Sequence, residues 1–263
     1  MVNNEHIRSI KDISLKLRKK IELCEAGVTG CTFLPRGKMV FVNEEQRSIT
    51  VVNSDGSLDR KIDFKPYVPH DITYIPKDNT IAITSSSSHY VKIIDGDTLR
   101  VIKILCVGSN CAGIAFTNGK LIVCGLEKGL IEVIYPGGSV KTILSCTMST
   151  NSYLATLGKK IFYTDLDFGG VFCCDLKGNI LWTFPCKNIN SHNGVTVDNN
   201  GNVFVADFSR NKVFVISPNG QQHRDVLTSV AAVCYPIGLI YDRDNNQLLV
   251  TNYYKGAVLY TVT

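Results

Sequence analysis

The stretch Gly194-Val195-Thr196-Val197, Asp198-Asn199-Asn200-Gly201, Val203-Phe204-Val205-Ala206-Asp207 decides the fold. Two short apolar runs flank a tetrapeptide in which Gly supplies the positive φ of a tight hairpin turn. A polar loop, Phe208 to Asn211, follows. Val213 to Ile216 then gives a third strand, Ser217-Pro218-Asn219-Gly220 a second turn, and an outer strand ends near Leu227. One inner strand, two middle strands and one outer strand make a complete antiparallel unit.

The same order recurs along the chain. Aligned on the first apolar residue after the first turn, the units are anchored at Met39, Ile81, Leu121, Ile161, Val203 and Leu248, with spacings of 42, 40, 40, 42 and 45 residues. Matched turns include Pro35-Arg36-Gly37-Lys38 and Asn53-Ser54-Asp55-Gly56 in the first unit, Thr117-Asn118-Gly119 and Pro136-Gly137-Gly138 in the third, and Leu157-Gly158-Lys159 and Leu176-Lys177-Gly178 in the fourth. Six units of this length, built of short alternating strands, predict an all-β, six-bladed β-propeller. Helical periodicity is absent.

The two ends predict how the ring closes. The sixth unit stops at Val258 to Val262, its third strand. Near the N-terminus, Ile13, Leu15, Leu17, Ile21 and Leu23 alternate with polar residues, the period of a half-buried strand. Residues 12–23 are therefore expected to complete the sixth blade and remove the open seam. The expected organisation is a flexible segment over 1–11 and a propeller over 12–263.

Composition narrows the function. The chain has 263 residues, 44% hydrophobic, with a net charge of +5. A large core is affordable, and the charge is too mild to imply a nucleic-acid partner by itself. No apolar run approaches membrane-span length, and residues 1–20 lack the apolar core of a signal peptide. The ten cysteines include no Cys-x-x-Cys pair. Cys106, Cys146 and Cys186 recur at intervals of forty, and Cys24 closes a similar segment, so they read as one repeated structural position holding reduced thiols. A cytoplasmic location is expected.

The unit around Gly194 resembles the NHL repeat: a Gly-apolar opening, a turn, an apolar strand ending in Ala206-Asp207, a polar loop and a further apolar strand. The likeness is good in the fifth unit, fair in the first, third and sixth, and degenerate in the second and fourth. In style the repeats look like the C-terminal domain of tripartite-motif (TRIM-NHL) ubiquitin ligases. That resemblance implies a substrate-recognition domain of a larger cytosolic ligase, whose RING, B-box and coiled-coil modules this sequence does not contain. Some propellers of that family bind RNA, which makes RNA the alternative partner.

One face of such a propeller carries turns of Gly, Asn, Asp and Pro, which turn geometry explains. The other carries richer loops. Tyr67, His70, Tyr90, His192, Phe208, Arg210, Tyr253, Tyr254 and Lys255 are its candidate partner-binding residues, because aromatic and Arg side chains outside strands are the usual contents of a recognition surface. On this face Arg47, Lys65, Lys128, Lys187, Arg210 and Lys255 are set against Glu44, Glu45, Glu127, Asp165, Asp167 and Asp207, whereas Lys11, Lys16, Arg18, Lys19 and Lys20 collect in the N-terminal strand. Phosphate binding needs clustered, unopposed cations, so a protein or peptide is favoured over RNA.

A metal-dependent, lactonase-like hydrolase is the third reading. At the inner-strand entrances only Asp71 and Asn193 are plausible ligands, fewer oxygen donors than a hard cation wants. Gly-x-Ser-x-Gly, His-Glu-x-x-His and phosphate-binding glycine loops are missing, and Ser191 and His192 point apart on an extended chain. The expectation is a monomeric binding platform with no cofactor, no metal, no membrane partner and no chemistry of its own. If its cysteines are structural, thiol titration of freshly purified, denatured protein without reductant should return ten free thiols; fewer would reveal a disulfide.

Overall fold

The computed structural model describes residues 9–23, 25–186, 192–229, 232–254 and 256–263; the side chains of residues 192 and 193 lie outside that description. Among the described residues the chain forms six four-stranded antiparallel sheets. Strand β1 spans Leu15–Ile21. Blade one is β2 to β5 (Val28–Phe33, Met39–Asn43, Ser48–Val52, Leu58–Asp63) and blade two β6 to β9 (Ile72–Ile75, Thr80–Ile83, Tyr90–Asp95, Val101–Cys106). Blade three is β10 to β13 (Cys111–Thr117, Lys120–Gly125, Gly129–Ile134, Val140–Leu144) and blade four β14 to β17 (Leu154–Leu157, Lys160–Asp165, Gly170–Asp175, Ile180–Pro185). Blade five is β18 to β21 (His192–Val197, Val203–Asp207, Lys212–Ile216, His223–Leu227), and β22 to β24 (Pro236–Asp242, Gln247–Asn252, Ala257–Val262) form blade six with β1.

The predicted turn chemistry is what closes the hairpins. In blade five the Asp198 N–H donates to the Asn202 carbonyl at 3.0 Å, and the Asp198 carboxylate accepts from the Asn200 and Asn202 amides at 2.9 and 2.8 Å. Gly201 supplies the φ of +84° that the turn requires.

The core lies in the seams between blades rather than within one layer. Six buried clusters each join facing sheets. Val42, Ile49, Ile81 and Ile83 fill the seam between blades one and two. Leu121 and Val133 meet Val91 and Ile93 between two and three. Alternation along each middle strand therefore feeds apolar side chains to both neighbours, and both faces of β3, β11 and β19 are buried.

At the axis the inner strands come into backbone contact. A Cβ on Gly113 would lie 2.7 Å from Tyr153 Cα, and one on Gly194 would run into the Ile237 carbonyl oxygen. The Gly113 N–H donates across this gap to the Ser152 carbonyl at 2.8 Å. Glycine is needed there because only hydrogen fits between the strands.

The N-terminal strand closes blade six as expected, pairing antiparallel with β24 from Leu15 opposite Val262 to Ile21 opposite Ala257. It is shorter than 12–23, and its alternation is broken by a register shift between Leu17 and Lys19. A bulge moves following side chains to the opposite face. Leu15 thus packs into the seam of blades five and six and Ile21 into the seam of six and one, while Leu17 is left 48% exposed. The packed chain also begins earlier than residue 12. Ile10 is 4% exposed, and Arg224 donates from Nε to its carbonyl at 3.0 Å and from a terminal nitrogen to the Ile13 carbonyl. Of the segment expected to be flexible, residues 1–8 lie outside the described residues.

All nine described cysteines are unpaired; Cys106 is exposed, Cys146 half-buried and Cys186 buried, so the repeated position does not hold one environment, and Cys24 lies outside the described residues. Deleting residues 1–21 removes Ile10, Ile13 and Ile21 from two seams and bares the edge of β24. Burial of three isoleucines is worth at least about 5 kcal/mol, so the truncated chain should aggregate and lose its cooperative melt by calorimetry.

Candidate functional site

The loops joining second to third strands share a face with the connections between blades, and backbone hydrogen bonds stitch the two sets together. The His70 amide donates to the Thr84 carbonyl, the Met148 amide to Leu126, and the Tyr253 amide to Tyr235, at 2.8–2.9 Å. Three of the residues that end a second strand, Asn43, Asp165 and Asp207, cap the loop that follows. Asn43 Oδ1 accepts from the Gln46 amide at 2.8 Å, Asp165 Oδ1 from Asp167 at 2.9 Å, and Asp207 Oδ1 from Arg210 at 3.1 Å.

That placement corrects part of the charge reading. Asp165 and Asp207, expected as surface counter-charges, are 1% and 0% exposed. Burial pushes the Asp165 carboxyl above its ordinary range. Of the charges expected there, Glu44, Glu45, Glu127 and Asp167 stay at the surface among the described residues, against Arg47, Lys65, Lys128 and Arg210. Four acids and four bases of the expected set thus face one another; Lys187 and Lys255 lie outside the described residues.

Four aromatic rings converge where blades five, six and one meet. Phe208 packs on Tyr235 at 5.1 Å and on Tyr253 at 6.0 Å; Tyr254 packs on Tyr235 at 5.1 Å and on Tyr253 at 5.0 Å. Tyr254 stands at 87° to both of its neighbours. The backbone beneath is tied down. The Tyr235 amide donates to Asn211 Oδ1 at 2.6 Å, its carbonyl accepts from the Tyr253 amide at 2.9 Å, and the Tyr253 carbonyl accepts from the Gly27 amide at 2.8 Å. Tyr235 is held at φ +51°, a left-handed conformation that costs a tyrosine about 1 kcal/mol or more. The Tyr253 hydroxyl donates to Glu45 Oε1 at 2.7 Å. Tyr254 remains 56% exposed and Tyr235 37%.

The expected site residues separate into groups. Phe208, Arg210, Tyr253 and Tyr254 come together. Tyr67 is instead buried in the seam of blades one and two, where its hydroxyl donates to the Tyr90 carbonyl at 2.5 Å and its ring lies under Lys92 Nζ at 4.2 Å. His70 is also buried, with Nδ1 3.4 Å from Glu44 Oε2. Tyr90 is exposed but sits on blade two, away from the cluster. The His192 side chain and Lys255 lie outside the described residues. Tyr235 was not among the expected residues; its signal is an aromatic in a blade connection immediately before Pro236 and the last inner strand.

The central channel is plugged. Tyr153 reaches from blade four to the opposite side, and its hydroxyl donates to the Thr29 carbonyl at 3.1 Å. The His70 ring packs on it at 5.2 Å. Toward the turn face lies a cavity of about 130 Å³, lined among others by Cys31, Asp71, Thr156, Tyr241 and Arg243. Arg243 donates to the Thr156 carbonyl. Asp71, one of the two metal-ligand candidates, is buried, and its Oδ2 accepts from the Ile114 amide of the next blade at 2.9 Å. Burial pushes its carboxyl up to about 6, against the pull of hydrogen bonds from Ile114 and Ile72. Among the described residues no group of three or more His, Cys, Asp and Glu converges as a metal site. The other candidate, Asn193, has its side chain outside them.

No protein-family model matches the sequence, and a search of curated proteins finds no match. Solved structures do match. A Bacteroides thetaiotaomicron protein of unknown function matches over 95% of this chain and 76% of its own, at 13% identity and a TM-score of 0.76. Virginiamycin B lyase from Staphylococcus aureus matches over 95% of this chain and 100% of its own, at 14% identity and a TM-score of 0.68. A chain of a nidogen/laminin complex matches over 86% and 96%, at 13% identity and a TM-score of 0.71. The likeness is one of fold.

It overturns one expectation. The chain was expected to carry out no chemistry of its own, on the strength of its fold and its missing motifs. Virginiamycin B lyase is an enzyme with the same propeller fold, so the fold does not exclude catalysis.

Asp71 makes the buried axis measurable. The folded chain holds this proton up to about pH 6, whereas the unfolded chain releases it near 4. Stability should therefore fall as pH rises from 4 to 6, by up to about 3 kcal/mol from this group. Chemical denaturation of wild type and Asp71→Asn across that range should show the slope in the difference between them.

Proposed function

We propose that this chain is a binding platform that docks a protein or peptide on its loop-rich face, with Phe208, Tyr235, Tyr253 and Tyr254 at the centre of the contact. The observation that carries the reading is the convergence of these four rings on a backbone already fixed by hydrogen bonds to Asn211 and Gly27. Rings held in place before binding lose little entropy on contact, and aromatic anchors dominate interface energetics. The strained φ of Tyr235 supports a role in recognition, because such strain concentrates at working sites. The match to a chain of the nidogen/laminin complex adds support, since a propeller of this kind occurs there in a protein complex.

The narrower reading is the partner-recognition domain of a TRIM-NHL-like ubiquitin ligase, acting as a monomer in the cytoplasm. It rests on the NHL resemblance of the repeats and on the unpaired cysteines. One observation favours RNA as the second reading. Lys16, Arg18 and Lys20 are exposed along β1 and have no carboxylate partner among the described residues. They lie on the outer strand of blade six.

Tyr254→Ala is the cleanest probe, because Tyr254 is exposed; Arg210→Ala would also disturb the buried Asp207, 3.9 Å from the guanidinium. Peptides selected on the wild-type protein from a random display library should bind Tyr254→Ala about thirtyfold more weakly, the roughly 2 kcal/mol of a true anchor, with the melting temperature unchanged. Undiminished binding to Tyr254→Ala, or salt-sensitive RNA binding lost on replacing Lys16, Arg18 and Lys20, would displace the reading.

A further inference from the structure

The arrangement of the rings says what kind of side chain they take. We infer that the corner formed by Tyr235, Tyr253 and Tyr254 receives a lysine or arginine side chain of the docked segment, with Glu45 and Glu44 as its counter-charges; this rests on the docking reading above.

Geometry comes first. A stacked pair covers one face of each ring, whereas an edge-to-face pair covers a face of only one, so more ring face is left for a third group in the corner. Tyr254 stands at 87° to both Tyr235 and Tyr253, with centroids 5.1 and 5.0 Å apart. The face of an aromatic ring is its negative side, and cations are drawn to it.

Charge comes second. Glu45 accepts the Tyr253 hydroxyl at 2.7 Å, which places a carboxylate at the edge of the corner. Its neighbour Glu44 lies 3.4 Å from His70 Nδ1, and that contact holds the Glu44 carboxyl below its ordinary range, so it stays ionised through neutral pH. Burial first, and then the charges of Glu45 and Glu44, push the Tyr253 phenol up, so both carboxylates lie within electrostatic reach of a cation settling on the rings.

The molecule uses the same device elsewhere. Phe64 and Tyr67 meet at 84° with centroids 5.4 Å apart, and the ammonium of Lys92 sits over both, 4.9 Å from Phe64 and 4.2 Å from Tyr67. There the corner is buried between blades one and two and holds a lysine of the chain itself. At Tyr254 the corresponding corner opens to solvent, where an incoming segment can supply the cation.

The test uses blocked pentapeptides of sequence Gly-Ser-X-Ser-Gly, with X arginine, norleucine or glutamate, titrated into full-length protein with carbon-13-labelled tyrosine. Lys255→Ala serves as a parallel background, so that this neighbouring lysine cannot compete. The arginine peptide should move the Tyr235, Tyr253 and Tyr254 ring resonances saturably. Its affinity should fall roughly tenfold in Tyr254→Ala and in Glu45→Gln, and fall again at high salt. If the norleucine or glutamate peptide moves the same resonances as strongly, the docking face stands and the cation assignment fails. Arginine binding that survives both substitutions also overturns the assignment. If the arginine peptide moves none of these resonances up to its solubility limit, in either background, the cation assignment fails whatever the library peptides do; the docking reading falls only if those peptides bind elsewhere.

Discussion

Backbone contact at the propeller axis sets everything else. Inner strands that approach closely enough for Gly113 to bond Ser152 leave no room for a Cβ, and that closeness fixes the radius of the ring. The radius in turn fixes the width of the six seams, which the apolar side chains of the middle strands must fill. With the seams filled, the loops at either end have little freedom left. The aromatic cluster inherits its geometry from this chain of constraints, because its rings are carried by two blades and a connection that the core already holds in register.

The blades were legible because a propeller repeats its chemistry. Turn residues at matched offsets and apolar runs of period two mark six units without any alignment. The closing strand was legible too, but not its bulge. The run Leu17-Arg18-Lys19-Lys20 holds no glycine or other residue that announces an extra position, so the alternation read straight through it and placed Leu17 inward.

The site was legible in part, for a physical reason. An aromatic outside a strand either caps a seam or faces solvent, and composition does not distinguish the two. Tyr67 falls on the first side and Tyr254 on the second. The same ambiguity governs the acids. Asp207 looks like a surface charge in the sequence, but at the end of a second strand its carboxylate is spent on the loop that follows. Tyr235 was missed because it stands in a blade connection, its position defined by Asn211 far from it in sequence.

The clasp of blade six brings the two ends of the folded ring together. Ser14 and Thr263 exchange backbone hydrogen bonds at 2.8 and 2.9 Å, and Leu15 lies opposite Val262. The strands run antiparallel, so a mechanical load that reaches Ser14 and Thr263 meets the ladder at its open end. It would peel the ladder one rung at a time rather than shear all the rungs at once. A closed ring is thus built to yield to tension at this one ladder, where Ser14 and Thr263 lie about one strand spacing apart.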